Sequence, residues 1–261
     1  MSKIVWDEVG KRFYETGTDH GVLYIPTTEG EYNTAVAWNG LTGIEENPSG
    51  AEATKLYADN INYISLYSAE EFGATVKAYT YPPEFEKCDG SATLATGVII
   101  GQQTRTPFGL AYRTKVGNDT GGQDRGYKIH LLYGCKASPS ARSYQTVNDS
   151  PEAIEFSWEL STTPVPVANH SPSATLVIDS ITADEDKLKE LEDILFGVDA
   201  ELYDSTETYE LGDYCINGTK TYKCAVEATT PGEFDEDDWV EIKYPDGRLP
   251  LPDEIAEIFA A

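Results

Sequence analysis

Long hydrophobic runs are missing from this chain of 261 residues. No stretch of eighteen apolar residues occurs, so no segment reads as a membrane-spanning helix. The opening Met1-Ser2-Lys3-Ile4-Val5-Trp6-Asp7-Glu8 lacks the apolar core of a secretory leader. The chain is therefore expected to stay in the cytoplasm where it is made, unless it leaves as part of an assembly. Cysteine is scarce: Cys88, Cys135, Cys215 and Cys224 never take the Cys-x-x-Cys spacing of a zinc or redox site. Cys215 and Cys224 flank Asn217-Gly218, a favoured hairpin turn, which puts them on neighbouring strands. A disulfide between them is allowed, and two reduced, half-buried thiols are the reading that suits a reducing compartment.

Positive charge is also short. Nineteen Lys and Arg face forty-five Asp and Glu, for a net charge of −26. Residues 199–246 hold fourteen acidic and three basic residues, net −11, leaving the rest at −15. Binding that tracks nucleic-acid phosphates needs clustered cations to displace counterions, so it is disfavoured. Such a surface is soluble and can lie beside a polyanion without sticking to it.

The three histidines, His20, His130 and His170, are scattered, and His130 sits inside an apolar strand pattern. No Gly-x-Ser-x-Gly, His-Glu-x-x-His or Walker-type motif occurs. Asp235-Glu236-Asp237-Asp238 lacks the alternation of a calcium loop and reads as a solvated acidic turn. The glycines of 117–124 lack the Lys-Ser/Thr ending of a phosphate loop and sit between strands, which makes them a hairpin connection. The residues give no positive sign of an enzyme and require neither cofactor nor metal.

What is present is strand pattern. Residues 22–25, 34–38, 61–67 and 74–81 are β-branched or aromatic runs bounded by turn residues, with further strands expected at 108–115, 127–137 and 152–161. The segment 45–60 is long and polar for a hairpin connection, and loops of that length are commonly functional. Pro164-Val165-Pro166-Val167 reads as a stiff extended crossing, and Asn169-His170-Ser171-Pro172 begins a turn. A helix over about 183–197 follows from the capping-box spacing of Thr182 and Glu185, the stripe Leu188, Leu191, Ile194, Leu195, and Gly197 as its C-cap. A short helix closes the chain at Pro252–Phe259. Many strands and one late helix predict a mainly β fold, a sandwich or barrel with a flanking α-helix.

Three blocks then line up in order: Tyr57-Ala58-Asp59-Asn60, Glu70-Glu71-Phe72-Gly73-Ala74-Thr75-Val76 and Pro82-Pro83-Glu84-Phe85. They are followed by Pro107-Phe108-Gly109-Leu110-Ala111-Tyr112-Arg113, by Tyr127 to Ala137, by the helix and by Arg248-Leu249-Pro250-Leu251-Pro252. This order resembles the major tail proteins that build the tail tube of long-tailed bacteriophages, over about four-fifths of the chain. The resemblance implies a tail-tube β domain over 1–198 and a tail over 246–261 that returns to it. It also implies hexameric rings stacked into a tube whose acidic channel passes genomic DNA without specific binding. Wall carboxylates would repel DNA over a screening length of about 8 Å. Partners would be further copies of the chain and the tape measure, terminator and baseplate proteins, and the location the virion tail, assembled in the host cytoplasm. The N-terminal arm (1–20) and the loop carrying Glu45, Glu46, Asn47, Pro48, Tyr57, Asp59 and Asn60 are the candidate contacts between subunits and rings.

Between the helix and the closing tail lies a different kind of sequence. Residues 199–245, with Tyr203, Tyr209, Gly212-Asp213, Asn217-Gly218-Thr219-Lys220, Tyr222 and Trp239, resemble small carbohydrate-binding modules of chitinase and cellulase type. The resemblance implies an inserted β domain that decorates the outside, with Tyr203, Tyr209, Tyr222 and Trp239 as candidate contacts to host-surface or environmental glycans. The stretch after Tyr222 lacks the paired tryptophans that such sugar binders often carry, and Tyr209, Tyr222 and Trp239 read rather as the core of a very small domain. An alternative reading from another class is a glycan-binding protein whose β domain serves as a carrier.

Overall fold

A computed structural model describes residues 4–147, 149 and 151–260. The chain is mainly β. Its strands are β1 (Phe13–Ile25), β2 (Thr34–Trp38), β3 (Leu41–Glu46), β4 (Ser49–Gly50), β5 (Ala53–Ala58), β6 (Ile61–Tyr67), β7 (Glu70–Glu71) and β8 (Gly73–Ala78). After the short helix α1 (Glu86–Asp89) come β9 (Ala92–Ala95), β10 (Val98–Ile100), β11 (Phe108–Asn118), β12 (Gly122–Ala137), β13 (Phe156–Ser161) and β14 (Thr175–Asp179). Helix α2 (Glu185–Phe196), strands β15 (Glu201–Leu202), β16 (Tyr214–Asn217), β17 (Lys220–Cys224) and β18 (Trp239–Ile242), and helix α3 (Pro252–Ala260) complete it.

The large antiparallel sheet runs β2-β1-β11-β12-β13-β8-β3, with β14 joining β12 off that path. Strand β12 serves both halves. Residues 128–132 pair with β14 on one side and β11 on the other, while Lys136 and Ala137 pair with β13. Leu23, Leu110 and Leu132 of one half meet Val76, Trp158 and Leu160 of the other in a shared core with Trp38 and Phe85. Strands β2 and β3 stand at opposite ends of the strand order yet follow each other through Asn39-Gly40, with Gly40 at φ +77. The sheet therefore rolls until its ends approach. Among the described residues no ladder joins β2 to β3, so the expected sandwich or barrel is a rolled open sheet and not a closed barrel.

The outer face of β1, β11, β12 and β14 is covered by α2 and α3. Tyr24, Ala111, Ile129, Leu131, Tyr133 and Ile178 pack there against Leu188, Leu191, Leu195, Leu249 and Ile255. Helix α2 has twelve residues, too few to stand alone in water. Its three buried leucines supply roughly 5 kcal/mol of apolar burial, so packing holds it. The N-cap is Asp184, whose carboxylate accepts from the Asp186 and Lys187 amides, and not the expected Thr182. The C-cap is Gly197 as expected, with φ +83.

The inserted segment has its own sheet, β15-β16-β17-β18, and its own core of Cys215, Tyr222, Cys224 and Trp239. Asn217 pairs with Lys220 around a tight turn at Gly218, whose φ is +67. All four cysteines of the chain are buried and free.

Candidate functional site

Residues 45–60, expected as a long loop, are instead largely strand. The difference lies in Asp59 and Asn60, both at positive φ (+51 and +65), which close β5 onto β6 as a tight hairpin. A β4–β7 ladder, Ser49 opposite Glu71, forms its stem. Together they make an arm that leaves the sheet after β3 and returns to it at β8. None of its strand residues is buried. Tyr57, Tyr63 and Tyr67 are 69%, 72% and 72% exposed, and Leu56, Ile61, Ile64 and Leu66 are exposed beside them. An isolated two-stranded hairpin is marginal in water, and this one carries apolar side chains with nothing to cover them.

The candidate residues divide between the arm's root and its tip. Glu45 and Glu46 end β3; Lys77 lies 3.7 Å from Glu45, and the Tyr112 hydroxyl donates a 2.7 Å hydrogen bond to Glu46. Asn47 donates from its backbone to Gly73 and from its side chain to Thr75, 2.8 and 3.1 Å away, which fixes the root to β8. Pro48 opens the stem, and Tyr57, Asp59 and Asn60 stand at the tip of the hairpin. The apolar β6 residues were legible as a strand, but their joint exposure was not.

The N-terminal arm divides as well. Residues from Phe13 onward belong to β1. Ile4, Val5, Trp6 and Val9 are exposed, on a segment tied to the β11–β12 turn by Asn118 donating to the Gly10 carbonyl and Gly10 donating to Asp119.

Besides the outer edges of β2 and β3, two edges of this sheet are open among the described residues. Strand β2 pairs only with residues 21–25 of β1, so residues 13–19 have β11 as their single neighbour. Strand β14 pairs only with β12. Each step from β1 through β11 and β12 to β14 is antiparallel, so β14 runs antiparallel to β1 on the far side of this four-stranded segment. The open edges are staggered. Val177 is level with His130 and Tyr112, whereas the free part of β1 pairs Thr16 with Lys115, three rows further along. Away from α2, this segment presents Glu15, Val116, Lys128 and Asp179. Lys128 bonds Glu15, and that bond holds the Glu15 carboxyl below the ordinary range.

The four glycan candidates lie against one another. Trp239 and Tyr222 are buried; Tyr203 and Tyr209 are half-buried and stacked at 5.4 Å, with Trp239 edge-on to each at 6.0 and 5.2 Å. Phe234, absent from the sequence-based set, stacks on Trp239 at 5.5 Å and completes the cluster. The rings form an interior and not a flat exposed platform. Where the insertion meets α2, a groove of about 380 Å³ is lined by Asp193, Tyr214, Lys223, Tyr244 and Arg248. The Tyr214 hydroxyl donates to Asp193 at 2.7 Å across it.

No known protein family matches the chain, and no curated protein matches it.

Proposed function

We propose that the protein is a structural subunit of a bacteriophage tail tube, built of hexameric rings that stack around a channel for DNA. The observation that carries this reading is the pair of open, mutually antiparallel edges on β1 and β14. A copy whose β14 lies beside the next copy's β1 continues the antiparallel alternation, four strands per subunit, and repetition around a ring leaves neither of these two edges unpaired. The three-row offset supports closure, because strands can close a barrel only when their register is staggered. The face with Glu15, Lys128 and Asp179 then lines the channel, opposite the helices, and the chain's net charge of −26 keeps DNA from adhering.

The apolar arm supports the same reading. Uncovered Tyr57, Tyr63 and Tyr67 find their cover on a neighbouring subunit or ring, with the Ile4-Val5-Trp6 segment as a second contact. The inserted module, on the helix side of the sheet, points away from the channel as an outward decoration. Tape measure, terminator and baseplate proteins are the expected neighbours at the ends, in the virion tail.

Negative-stain electron microscopy of the concentrated, purified chain tests this. Stacked rings with a central hole and peripheral knobs are expected. A chain that stays monomeric at high concentration and also fails to join virions when supplied during assembly would sink the reading.

A further inference from the structure

We infer that the β9–β10 hairpin is the seat on which the β5–β6 arm of a second copy docks, an inference that rests on the tail-tube reading and names the surface its arm meets. Strands β9 and β10 pair only with each other, Ile99 with Thr93 and Ile100 with Ala92, and turn at Gly97, whose φ is +77. No residue of either strand is buried. Leu94, Val98 and Ile99 are 68%, 48% and 54% exposed. The fifteen residues 90–104 pass without one charged side chain, although 25% of the chain is charged. Exposed strand edges are ordinarily guarded by lysine or another charge against pairing with a second chain. This hairpin carries no such guard, and two strands alone are marginal in water, so it needs a cover.

The arm offers the matching surface. Its strands and turn, residues 53–67, hold one Lys and one Asp and so no net charge, with Ile61, Tyr63 and Leu66 among their exposed side chains. In a chain of net charge −26, copies repel where acidic faces meet. Two hairpins without net charge approach free of that penalty and bury apolar area on both sides. Charge is complementary at the margins. At the foot of the seat Arg105 is half-buried against Gly90, 3.2 Å from where a Cβ would stand, and its Nε has no hydrogen-bond partner. At the stem of the arm Glu52, Glu70 and Glu71 are exposed acids. Within one chain the arm and the seat both stay exposed, so the guest comes from another copy. Each copy presents one arm and one seat, and such a head-to-tail contact can repeat without closing, as stacked rings require.

Cross-linking of the full chain tests the seat. Tyr63→Cys and Leu94→Cys are made as separate chains, mixed at a concentration that gives assemblies, and treated with a short bismaleimide. The native chain, whose four cysteines are buried, is the control. The mixture should give a cross-linked dimer roughly tenfold above either variant alone, because docking raises the local thiol concentration. Equal cross-linking in Tyr63→Cys alone would mean that arms meet arms, and would overturn the seat. Electron micrographs of the same samples separate the two ideas: tubes without the mixed cross-link sink the seat and leave the tail-tube reading standing, whereas no assembly in solution or in virions sinks both. Ile99→Asp, with unchanged circular dichroism, should give single rings in place of stacked tubes. If a cysteine variant does not assemble, Ile99→Asp alone decides, and tubes as long as those of the native chain would overturn the seat.

Discussion

A Cβ placed on Gly247 would stand 2.9 Å from the backbone nitrogen of Gly197, because the two strands of chain that lead into and out of the inserted module meet at these glycines. Both hold positive φ, +83 and +93. The neck is closed by Val198 donating to the Pro245 carbonyl and Arg248 donating to that of Ile194, at 2.9 and 2.8 Å. The two ends of this forty-odd-residue segment thus meet at a single pinch beside α2 and the closing tail.

Replacing Gly247 by Ala should therefore destabilise the protein by about 1–3 kcal/mol, combining left-handed backbone strain with contact against the Leu195 carbonyl. Denaturant unfolding measures it. A change below about 0.5 kcal/mol would mean the neck is not as tight as described.

Trp239→Ala should melt the module and spare the sheet. The ring is buried among Tyr203, Tyr209 and Phe234, and such truncations cost about 3–5 kcal/mol. Hydrogen exchange should show residues 199–245 losing protection while β11 and β12 keep theirs. A folded variant that selectively lost glycan binding would instead point to a ring that contacts ligand.

Serine at Tyr57, Tyr63 and Tyr67 together should leave the monomer's stability within about 0.5 kcal/mol per site, since these rings cover nothing in the isolated chain. Sedimentation should show assembly weakened or abolished in the same variant. Unimpaired rings would remove the arm from the proposed contacts.

The Asp19–Arg113 pair sets a pH dependence. Two hydrogen bonds from Arg113, at 2.8 and 3.2 Å, hold the Asp19 carboxyl below its ordinary range. A lowered carboxylate pKa stabilises the fold above the unfolded value, and that contribution is lost as pH falls through the folded one. With Asp19 34% exposed, solvent screening limits it to about 1 kcal/mol. Asp19→Asn should cost that much at pH 7, and the gap to the native chain should close as pH drops below the ordinary aspartate range. A gap that is constant with pH would exclude the ion pair as its cause.

Thiol reagents should leave Cys88, Cys135 and Cys215 of the native chain unlabelled. Burial pushes the Cys88 and Cys135 thiols up to about 12 and Cys215 up to about 11, so almost no thiolate exists near neutrality. Labelling of the native chain within minutes would show that these sites open.

Some of this was legible early. The β-branched runs around Val22, Val36 and Ile129 became strands because alternation and turn residues act locally. The stripe Leu188-Leu191-Leu195 became the buried face of α2 for the same reason. The insertion was visible because a helix stop at Gly197 and a resumed tail at Gly247 bracket sequence of another character. Strand β14 went unread because Thr175–Asp179 is short and gains its identity only beside β12. The segment 45–60 was misread as loop because its polar residues are exposed on both faces of a two-stranded hairpin, so no alternation betrays it.

The sequence alone determined the charge of −26, the strand-rich class, the helix stop at Gly197 and the turn at Gly218. Only the tertiary structure decided which edges stay open, that Tyr203, Tyr209, Tyr222 and Trp239 share one core, and that His130 lies 3.7 Å from Glu46. Those depend on strand register, and a shift of one residue turns every side chain to the other face.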